Sequence, residues 1–304
     1  MWPSSIRRVS PNTRAKCGRI YTHGRQHEHQ TSPRRNAKHG NFLMNGQRIF
    51  RAVGPWLLFV ALIGVWELCV VQFKVSQMVL PPPSDIFTSL VGGFRNNIFQ
   101  KHLLMTGKEV VFGYVLGVSF GILVGAPIAL SRTFETLFYP YLLALQTMPK
   151  VALAPLMMIW VGFGIESKII ITMIVAIFPV LVNVIVGLRA VEPDRIALIR
   201  SLKGGTLAEF WWVRLPSAAP YIFAGMKTSI VLALLGAIAA EFVGAEAGLG
   251  YLMTQLMFKL DTPGVFAILI ILSIIGVTLY MVADWAQRKI VFWDASTVDR
   301  WKSR

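Results

Sequence analysis

The sequence predicts an all-α, polytopic membrane protein with about six transmembrane helices. Hydrophobic residues make up 55% of the 304-residue chain, and charged residues only 15%. A soluble fold of this length has too little interior for that much apolar surface, whereas apolar runs of about 20 residues match the roughly 30 Å hydrocarbon core of a bilayer. These two observations place most of the chain in a membrane.

Six apolar segments are each long enough to span the bilayer. They cover residues 55–73, 110–130, 137–161, 169–188, 221–242 and 264–283. In the moderately polar stretch between the first two, Pro81-Pro82-Pro83 interrupts the chain and Ser84-Asp85 can cap a short helix. Because apolar residues recur on one face of this helix, we expect it to lie flat at the membrane interface. The apolar residues are Ile86, Phe87, Leu90, Val91 and Phe94.

The net charge of +15 is typical of nucleic-acid-binding proteins, but its placement argues against a nucleic-acid partner. Residues 1–43 carry nine Lys or Arg against the single acid Glu28, and the other basic residues lie between apolar segments. With a cytoplasmic N-terminus, the basic residues outside the tail favour the cytoplasmic side about two to one, so we expect both termini in the cytoplasm. The cytoplasmic set is Arg132, Arg189, Arg195, Arg200, Lys203, Arg214, Lys227, Arg288, Lys289, Arg300, Lys302 and Arg304, and the outer set is Lys74, Arg95, Lys101, Lys108, Lys168 and Lys259.

Residues 1–43 form a polar tail without apolar periodicity, which we expect to be disordered. The tail does not have the pattern of a secretory signal peptide, and Met44 is an alternative start to Met1. No zinc motif is present among its histidines, so no metal site is expected. The histidines are His23, His27, His29 and His39.

Four glycines recur at every fourth position of the second apolar segment. Gly113, Gly117, Gly121 and Gly125 therefore share one helix face, which lets another helix approach closely within lipid. A tight static contact is the favoured interpretation, and a moving gate is the alternative.

The longest polar insertion between apolar segments, residues 189–220, is here called the 189–220 loop. Its apolar residues predict a short amphipathic helix that Gly204-Gly205 breaks; Thr206 can cap a second helix, 207–214, which Pro216 ends. Such a protruding pair of helices has no catalytic constellation and suits mechanical contact with a cytoplasmic partner.

This loop resembles the EAA motif of binding-protein-dependent ABC transporter permeases. The motif reads Glu-Ala-Ala, three residues, Gly, nine residues, Ile, one residue, Leu-Pro. Alignment on Leu215-Pro216 places Val213 at the Ile position and Lys203 at the Gly position, with Gly204 just after it. The first half departs from the motif, since Ala197-Leu198-Ile199 falls on Glu-Ala-Ala.

Flanking segments are similar to the nitrate, sulfonate and taurine subgroup of these permeases, and the similarity runs over about residues 55–285. The similar segments are 80–84, 148–156, 160–168, 240–244 and 248–252. By analogy, the type I ABC importer permease fold covers 103–284; residues 44–102 add a first transmembrane helix and an interfacial segment, and 285–304 form a cytoplasmic tail.

The resemblance implies an inner-membrane permease homodimer of a bacterium. Two ATPase subunits carrying ATP and Mg would dock on the 189–220 loop, and an extracytoplasmic binding protein would deliver a small solute such as nitrate, a sulfonate or taurine. The implied coupling residues are Ile199, Arg200, Ser201, Leu202, Lys203, Gly204, Gly205, Thr206, Leu215 and Pro216.

Four residues are candidates for the translocation pathway. Lys150, between the helix-breaking Pro149 and Pro155, either attracts an anionic solute or extends to the cytoplasmic edge of the membrane. Glu241 either lines a gate or caps the glycine-rich segment that follows it.

The chain has no catalytic motif. Gly107-Lys108 lacks the upstream glycine of a phosphate-binding loop, so the chain is not expected to bind ATP itself. We find no HExxH, no GxSxG and no paired intramembrane carboxylates, which argues against a membrane enzyme. The alternative to an importer permease is a stand-alone secondary transporter or another polytopic membrane protein, but these usually show more spans or internal repeats.

Overall fold

The computed structural model describes the backbone of residues 37–293 and the side chains of residues 54–293. All regular structure within 37–293 is helical. The α-helices are α1 (Ala37–Gln72), α2 (Pro83–Arg95), α3 (Ile98–Leu130), α4 (Arg132–Thr147), α5 (Ala154–Val161), α6 (Ile165–Arg189), α7 (Pro193–Ser201), α8 (Thr206–Glu209), α9 (Leu215–Gly244), α10 (Leu249–Phe258) and α11 (Thr262–Ile290). A 3₁₀ turn, Lys150–Leu153, precedes α5, and a π-helical turn, Phe210–Arg214, joins α8 to α9.

The chain separates into two compact units, residues 1–58 and residues 59–304. The described part of the first unit is the helical N-terminal part of α1. This helix begins at Ala37, inside the segment predicted to be a disordered tail, because extending a helix costs less than nucleating one. The described side chains do not include those of the four tail histidines, of Met1 and Met44, or of residues 294–304.

Five helical segments are long and apolar enough to cross a membrane, or six if one bent pair is counted. The five are Gly54–Gln72, Ile98–Leu130, Ile165–Arg189, Thr206–Gly244 and Thr262–Ile290. The all-α fold with about six spans is therefore confirmed. The predicted third span, 137–161, is not one straight helix, since α4 and the segment Lys150–Val161 meet at 85°. Proline has no N–H for the next helical hydrogen bond, and Pro149 lies at this break.

The cap of α2 differs from the prediction. Pro82 is the N-cap residue, and Ser84 does not cap the helix. Ser84 instead donates from its backbone N and its Oγ to the carboxylate of Glu67 in α1, at 3.1 and 2.8 Å. A carboxylate is stabilising at a helix N-terminus, where the helix dipole is positive, so Glu67 supplies the cap that was expected from Ser84-Asp85.

The apolar face of α2 is divided between the protein core and the exposed surface. Ile86 is buried in a cluster with residues of α10 and α11, whereas Phe87 and Val91 are exposed. The helix therefore packs on α11 through one edge of the face that was predicted to lie on the membrane.

The glycine row of α3 packs directly against α6. The residues of α6 that face Gly113, Gly117, Gly121 and Gly125 are also spaced by four: Thr172, Ala176, Val180 and Val184. A Cβ at Gly117 would lie 2.7 Å from the Ala176 Cβ and 3.0 Å from the Met173 carbonyl oxygen, so no larger side chain fits without separating the helices. Close backbone approach of this kind supplies the van der Waals contact that holds helices together in lipid.

Helix α9 also contacts α6, again with small residues at the contact. A Cβ at Gly225 would lie 2.7 Å from the Asn183 Cβ, and one at Gly236 would lie 3.2 Å from the Val175 Cβ. The three helices α3, α6 and α9 therefore form the centre of the second unit.

Two lysines that the sequence assigned to the two sides of the membrane are partly or fully buried between helices. Lys227, in α9, donates to Asp284 of α11 at 3.0 Å, with 12% and 17% of the two side chains exposed. Lys168, in α6, is 2% exposed and lies 3.5 Å from a carboxylate oxygen of Glu109 in α3. Each charge lies inside the helical core because it has a partner of opposite sign there.

We predict that Gly117→Ala lowers stability by about 1–3 kcal/mol, because the added methyl group must separate α3 from α6. Gly107→Ala is the matched control in the same helix, since nothing lies within 4 Å of a Cβ at that position. Alanine is the better helix former by about 1 kcal/mol, so the control should be neutral or stabilising. Thermal unfolding of both variants in detergent, followed by circular dichroism, checks the difference. Equal midpoints for the two variants would contradict the packing described here.

Candidate functional site

The first helix of the 189–220 loop ends in a tight turn centred on Lys203. The backbone N of Lys203 donates to the Arg200 carbonyl at 3.0 Å, and that of Gly204 donates to the Ile199 carbonyl at 2.9 Å. This pair of bonds is the Schellman motif, in which one residue must adopt the left-handed conformation. That residue is Lys203, with φ at 58°, and it stands where the EAA motif has its glycine.

The two glycines that were predicted to form the hinge have different roles. A Cβ at Gly204 would lie 2.6 Å from the Ile199 Cγ2 and 2.9 Å from the Ile199 carbonyl oxygen, so this position has no room for a side chain. Gly205 is the N-cap residue of α8, and nothing lies within 4 Å of a Cβ there. The predicted cap, Thr206, is instead the first residue of α8.

The prediction that Pro216 ends the second helix of the loop is wrong. Helix α8, the π-helical turn and α9 form one continuous segment from Thr206 to Gly244. In the π-helical turn the N–H of Leu215 donates to the carbonyl of Phe210, five residues back. Pro216 has no N–H to donate to the carbonyl four residues before it, so the regular helical hydrogen bonds cannot continue unchanged there. The wider π-helical turn just before Pro216 lets the helix continue past it with a different pairing.

Trp293 satisfies a carbonyl that a proline leaves free. In a regular helix the N–H of residue 220 would bond the carbonyl of residue 216, but residue 220 is a proline. The indole Nε1–H of Trp293 donates to the Pro216 carbonyl at 3.2 Å. The segment after α11 is thereby tied to the base of the loop.

A buried carboxylate holds the two halves of the loop together. Glu209, 6% exposed, accepts hydrogen bonds from Arg214 at 2.6 and 2.8 Å and from Arg200 at 3.1 and 3.3 Å. Arg214 also donates to the Leu188 carbonyl at 3.3 Å, which ties the loop to the end of α6. Charge-assisted bonds of this kind are among the stronger polar contacts in proteins, so the loop is a braced unit.

The braced loop exposes several large apolar side chains. The most exposed of them is Trp212, at 78%, and four others on the loop are also exposed: Leu198, Leu202, Leu207 and Trp211. Exposed apolar surface of this kind marks a contact for another protein or for the membrane. Of the remaining predicted loop residues, Ser201 donates to the Leu198 carbonyl and Leu215 begins α9.

Lys150 lines an open cavity of about 460 Å³ between the bend after α4 and the helices α6 and α9. We call this space the Lys150 cavity. Its polar lining residues are Gln146, Lys150, Asn183 and Thr228, and its apolar lining residues are Val151, Val175, Phe178, Pro179, Val182 and Leu232.

The ammonium group of Lys150 is held at the cavity wall. Its Nζ donates to the Gln146 carbonyl at 2.8 Å and lies 4.4 Å from the ring centroid of Phe178. The carbonyl is available because the regular helix ends at Thr147. Pro149 precedes the 3₁₀ turn and Pro155 lies in the first turn of α5, so the two prolines shape the bend that presents Lys150.

The fourth pathway candidate, Glu241, lies away from this cavity. Its side chain is 1% exposed and accepts hydrogen bonds from Thr106 Oγ1 at 2.6 Å and from the backbone N of Gly250. This geometry corresponds to a cap on the glycine-rich segment. The structure thus brings Pro149, Lys150 and Pro155 together but not Glu241.

The sequence did not predict that Glu109 and Lys168 are buried together. The prediction that no intramembrane carboxylates are paired is wrong. Glu109 lies beside Glu241 in one buried group, with Lys168 3.5 Å away. The predicted spans began at residues 110 and 169, whereas α3 begins at Ile98 and α6 at Ile165. Ionisable residues at the edges of apolar runs were the available signal.

The long apolar helices and this loop define a multi-span membrane protein with a braced loop ahead of Leu215. Comparison with known proteins gives the class. Residues 117–292 match the family described as "Binding-protein-dependent transport system inner membrane component", and the chain belongs to that family. It is a permease of an ABC importer for a small solute, so the alternative of a stand-alone transporter does not apply.

Two curated relatives and one solved structure illustrate the similarity. The chain is 32% identical to the formylaminopyrimidine transport permease protein ThiX of Halalkalibacterium halodurans, over 76% of this chain and 92% of the relative. It is 29% identical to the taurine transport system permease protein TauC of Escherichia coli, over 76% of this chain and 86% of the relative. An inward-facing structure of the MetNI methionine ABC transporter aligns with a TM-score of 0.51 at 20% identity, over 62% of this chain and 92% of that chain, which shows the type I importer fold.

We predict that Glu209→Gln loosens the 189–220 loop, because the amide cannot accept the four charge-assisted bonds of the carboxylate. The loss should be about 2 kcal/mol of local stability, seen as faster hydrogen exchange of the amides in residues 193–214. Glu192→Gln is the matched control, since the side chains of Glu192 and Arg195 are 68% and 61% exposed. Exposed pairs contribute about 0–1 kcal/mol, so exchange should change little. Equal exchange in both variants would show that Glu209 does not brace the loop.

Proposed function

We propose that two copies of this chain form the membrane pathway of an importer whose solute is a small anion, and that ATPase subunits dock on the 189–220 loop. The observation that carries the docking role is the loop itself: an exposed apolar surface on a unit braced by Glu209. A braced contact suits the transmission of force, since a flexible loop would absorb the displacement of its partner.

The remaining parts of the proposal follow from the family. ATP and Mg would be bound by the ATPase subunits, and an extracytoplasmic binding protein would deliver the solute. Both termini would face the cytoplasm of a bacterial cell, with the protein in the inner membrane. Exposed apolar side chains along α1, such as Leu62 and Leu68, would contact lipid.

Lys150 supports an anionic solute. It is the basic residue among those lining the Lys150 cavity, and Gln146, Asn183 and Thr228 add neutral polar groups that can orient a small polar solute. A positive charge on a cavity wall that carries no other charged residue attracts anionic groups because its field is poorly screened there. A taurine permease of Escherichia coli is among the relatives, which is consistent with a sulfonate.

Phe178 supports a second candidate, an uncharged heteroaromatic solute. Its ring lies in the cavity wall under the Lys150 ammonium and offers an aromatic surface for stacking. A formylaminopyrimidine permease is also among the relatives. Uptake measurements with one solute of each kind separate the two candidates.

We predict that Gly204→Val abolishes co-purification with the ATPase subunit, because the side chain collides with Ile199 and displaces the end of α7. Gly205→Val is the matched control at the adjacent residue, where a Cβ meets nothing within 4 Å. The measurement is pull-down of the tagged permease from membranes of the native host, with the bound ATPase quantified. If the Gly204 variant retains its ATPase and transports normally, the loop is not the coupling element.

We predict that Lys150→Met lowers taurine uptake on the order of tenfold or more, because it removes the charge that attracts the sulfonate group of taurine. Uptake is measured with radiolabelled taurine in host cells that carry the variant in place of the wild type. Lys150→Arg keeps the charge and should retain most of the uptake.

Lys108→Met removes an exposed lysine from α3 and serves as the control for loss of positive charge elsewhere. Unchanged taurine uptake by Lys150→Met would exclude the anion role. Loss of labelled pyrimidine uptake in a Phe178→Leu variant, with taurine not transported by the wild type, would favour the heteroaromatic solute.

A further inference from the structure

A buried polar group fastens the N-terminus of α10 to two other helices. Three consecutive backbone amides donate to side chains of α3 and α9. Gly248 N donates to His102 Nδ1 at 3.0 Å, Leu249 N to Thr106 Oγ1 at 2.8 Å, and Gly250 N to Glu241 Oε2. We call His102, Thr106 and Glu241 the polar clamp.

The first amides of any helix have no partner within that helix and are usually capped by a nearby side chain of the same segment. In α10 the caps come from residues more than a hundred positions earlier on α3, and from α9. Thr106 also donates to Glu241 Oε1 at 2.6 Å, so the two helices share one hydrogen-bonded unit. The helix is therefore held by contacts that break only if it separates from α3 and α9.

The clamp leaves no room for adjustment at the glycine-rich segment. Gly248 adopts φ of 130°, and a Cβ there would collide with the Glu241 carboxylate. Leu249 and Thr106 are fully buried. The segment thus fits the carboxylate closely, and the geometry requires glycine at this position.

A buried ion pair extends the clamp to α6. Glu109 lies one helical turn along α3 from Thr106 and beside Glu241, and Lys168 of α6 lies 3.5 Å from its carboxylate. Neither oxygen of Glu109 accepts a hydrogen bond from the described residues. Separating these charges would leave one of them unpaired in the core, which is costly. The pair therefore opposes any movement of α3 away from α6.

Helix α9 connects the clamp to the 189–220 loop. The continuous helical segment from Thr206 to Gly244 carries Glu209 at one end and Glu241 at the other. Between these ends α9 packs closely on α6 at Gly225 and Gly236, so a displacement at one end can be carried to the other by a supported helix. α10 lies beyond the end of α9 that is opposite to the loop.

We propose that Glu241 and Thr106 are positioning residues that make α10 move with α9, and so carry a displacement of the 189–220 loop to the opposite side of the membrane. This inference rests on the proposed docking of ATPase subunits on that loop. It assigns the clamp a role in transmission and not in contact with solute.

Two measurements on the full chain test the proposal. The first is hydrogen exchange of the amides of residues 248–252 in the purified permease. Thr106→Val removes the acceptor for Leu249 N without changing side-chain size, and exchange there should rise about tenfold. Thr106→Ser keeps the hydroxyl and should restore protection.

Thr254→Val is the matched control, because the Thr254 hydroxyl bonds only within α10, to the Gly250 carbonyl. It changes the same chemical group without releasing the helix from α3 and α9, so exchange at 248–252 should stay near the wild-type rate. If Thr106→Val exchanges no faster than this control, the clamp does not hold α10 and the proposal fails.

The second measurement is the number of taurine molecules, or of labelled pyrimidine molecules where the wild type does not carry taurine, taken up per ATP hydrolysed by the importer in proteoliposomes. Thr106→Val and Glu241→Gln should lower this ratio severalfold while ATP hydrolysis continues, and Thr106→Ser should restore it. If exchange at α10 rises but the ratio is unchanged, α10 is held by the clamp without serving transmission, which overturns the proposal. If the wild type shows no ATP-driven uptake, the proposed function itself fails, and the exchange data still report on the clamp.

Discussion

Within a bilayer every backbone N–H and C=O must find its partner inside the protein, because hydrocarbon offers none. This constraint is visible wherever a helix of this chain is interrupted. The Gln146 carbonyl at the bend after α4 receives the Lys150 ammonium, and the Pro216 carbonyl receives the Trp293 indole. The Lys150 cavity, the 189–220 loop and the polar clamp each lie at such an interruption. The side chains that we propose as functional in the cavity and the clamp thus also complete an interrupted helix.

The sequence predicted the features that depend on local composition. Spans follow from hydropathy, and the glycine row of α3 follows from its regular spacing. The protruding loop follows from its polarity and from its resemblance to a known motif. These signals are local because a helix satisfies its own backbone within a few residues.

Other features depended on partners that are distant in sequence. No local pattern connects Glu109 with Lys168, or Thr106 with Glu241. Glu67 caps α2 from the preceding transmembrane helix, so the adjacent Ser84-Asp85 was the wrong choice. Pro216 is compatible with a continuing helix because of a π-helical turn, which single-residue preferences do not reveal. The helix bend at Pro149 was indicated by its prolines, but its angle is set by packing.

Helix α4 has no buried residue in the described chain, although it begins with a capped turn and ends at the Lys150 cavity. Its large apolar residues, including Leu137 and Tyr141, are mostly exposed. The Lys150 cavity is open on one side in the described chain. If two copies form the pathway as proposed, a single copy encloses no continuous aqueous route, and a cell that makes this subunit in excess would not lose ions through it.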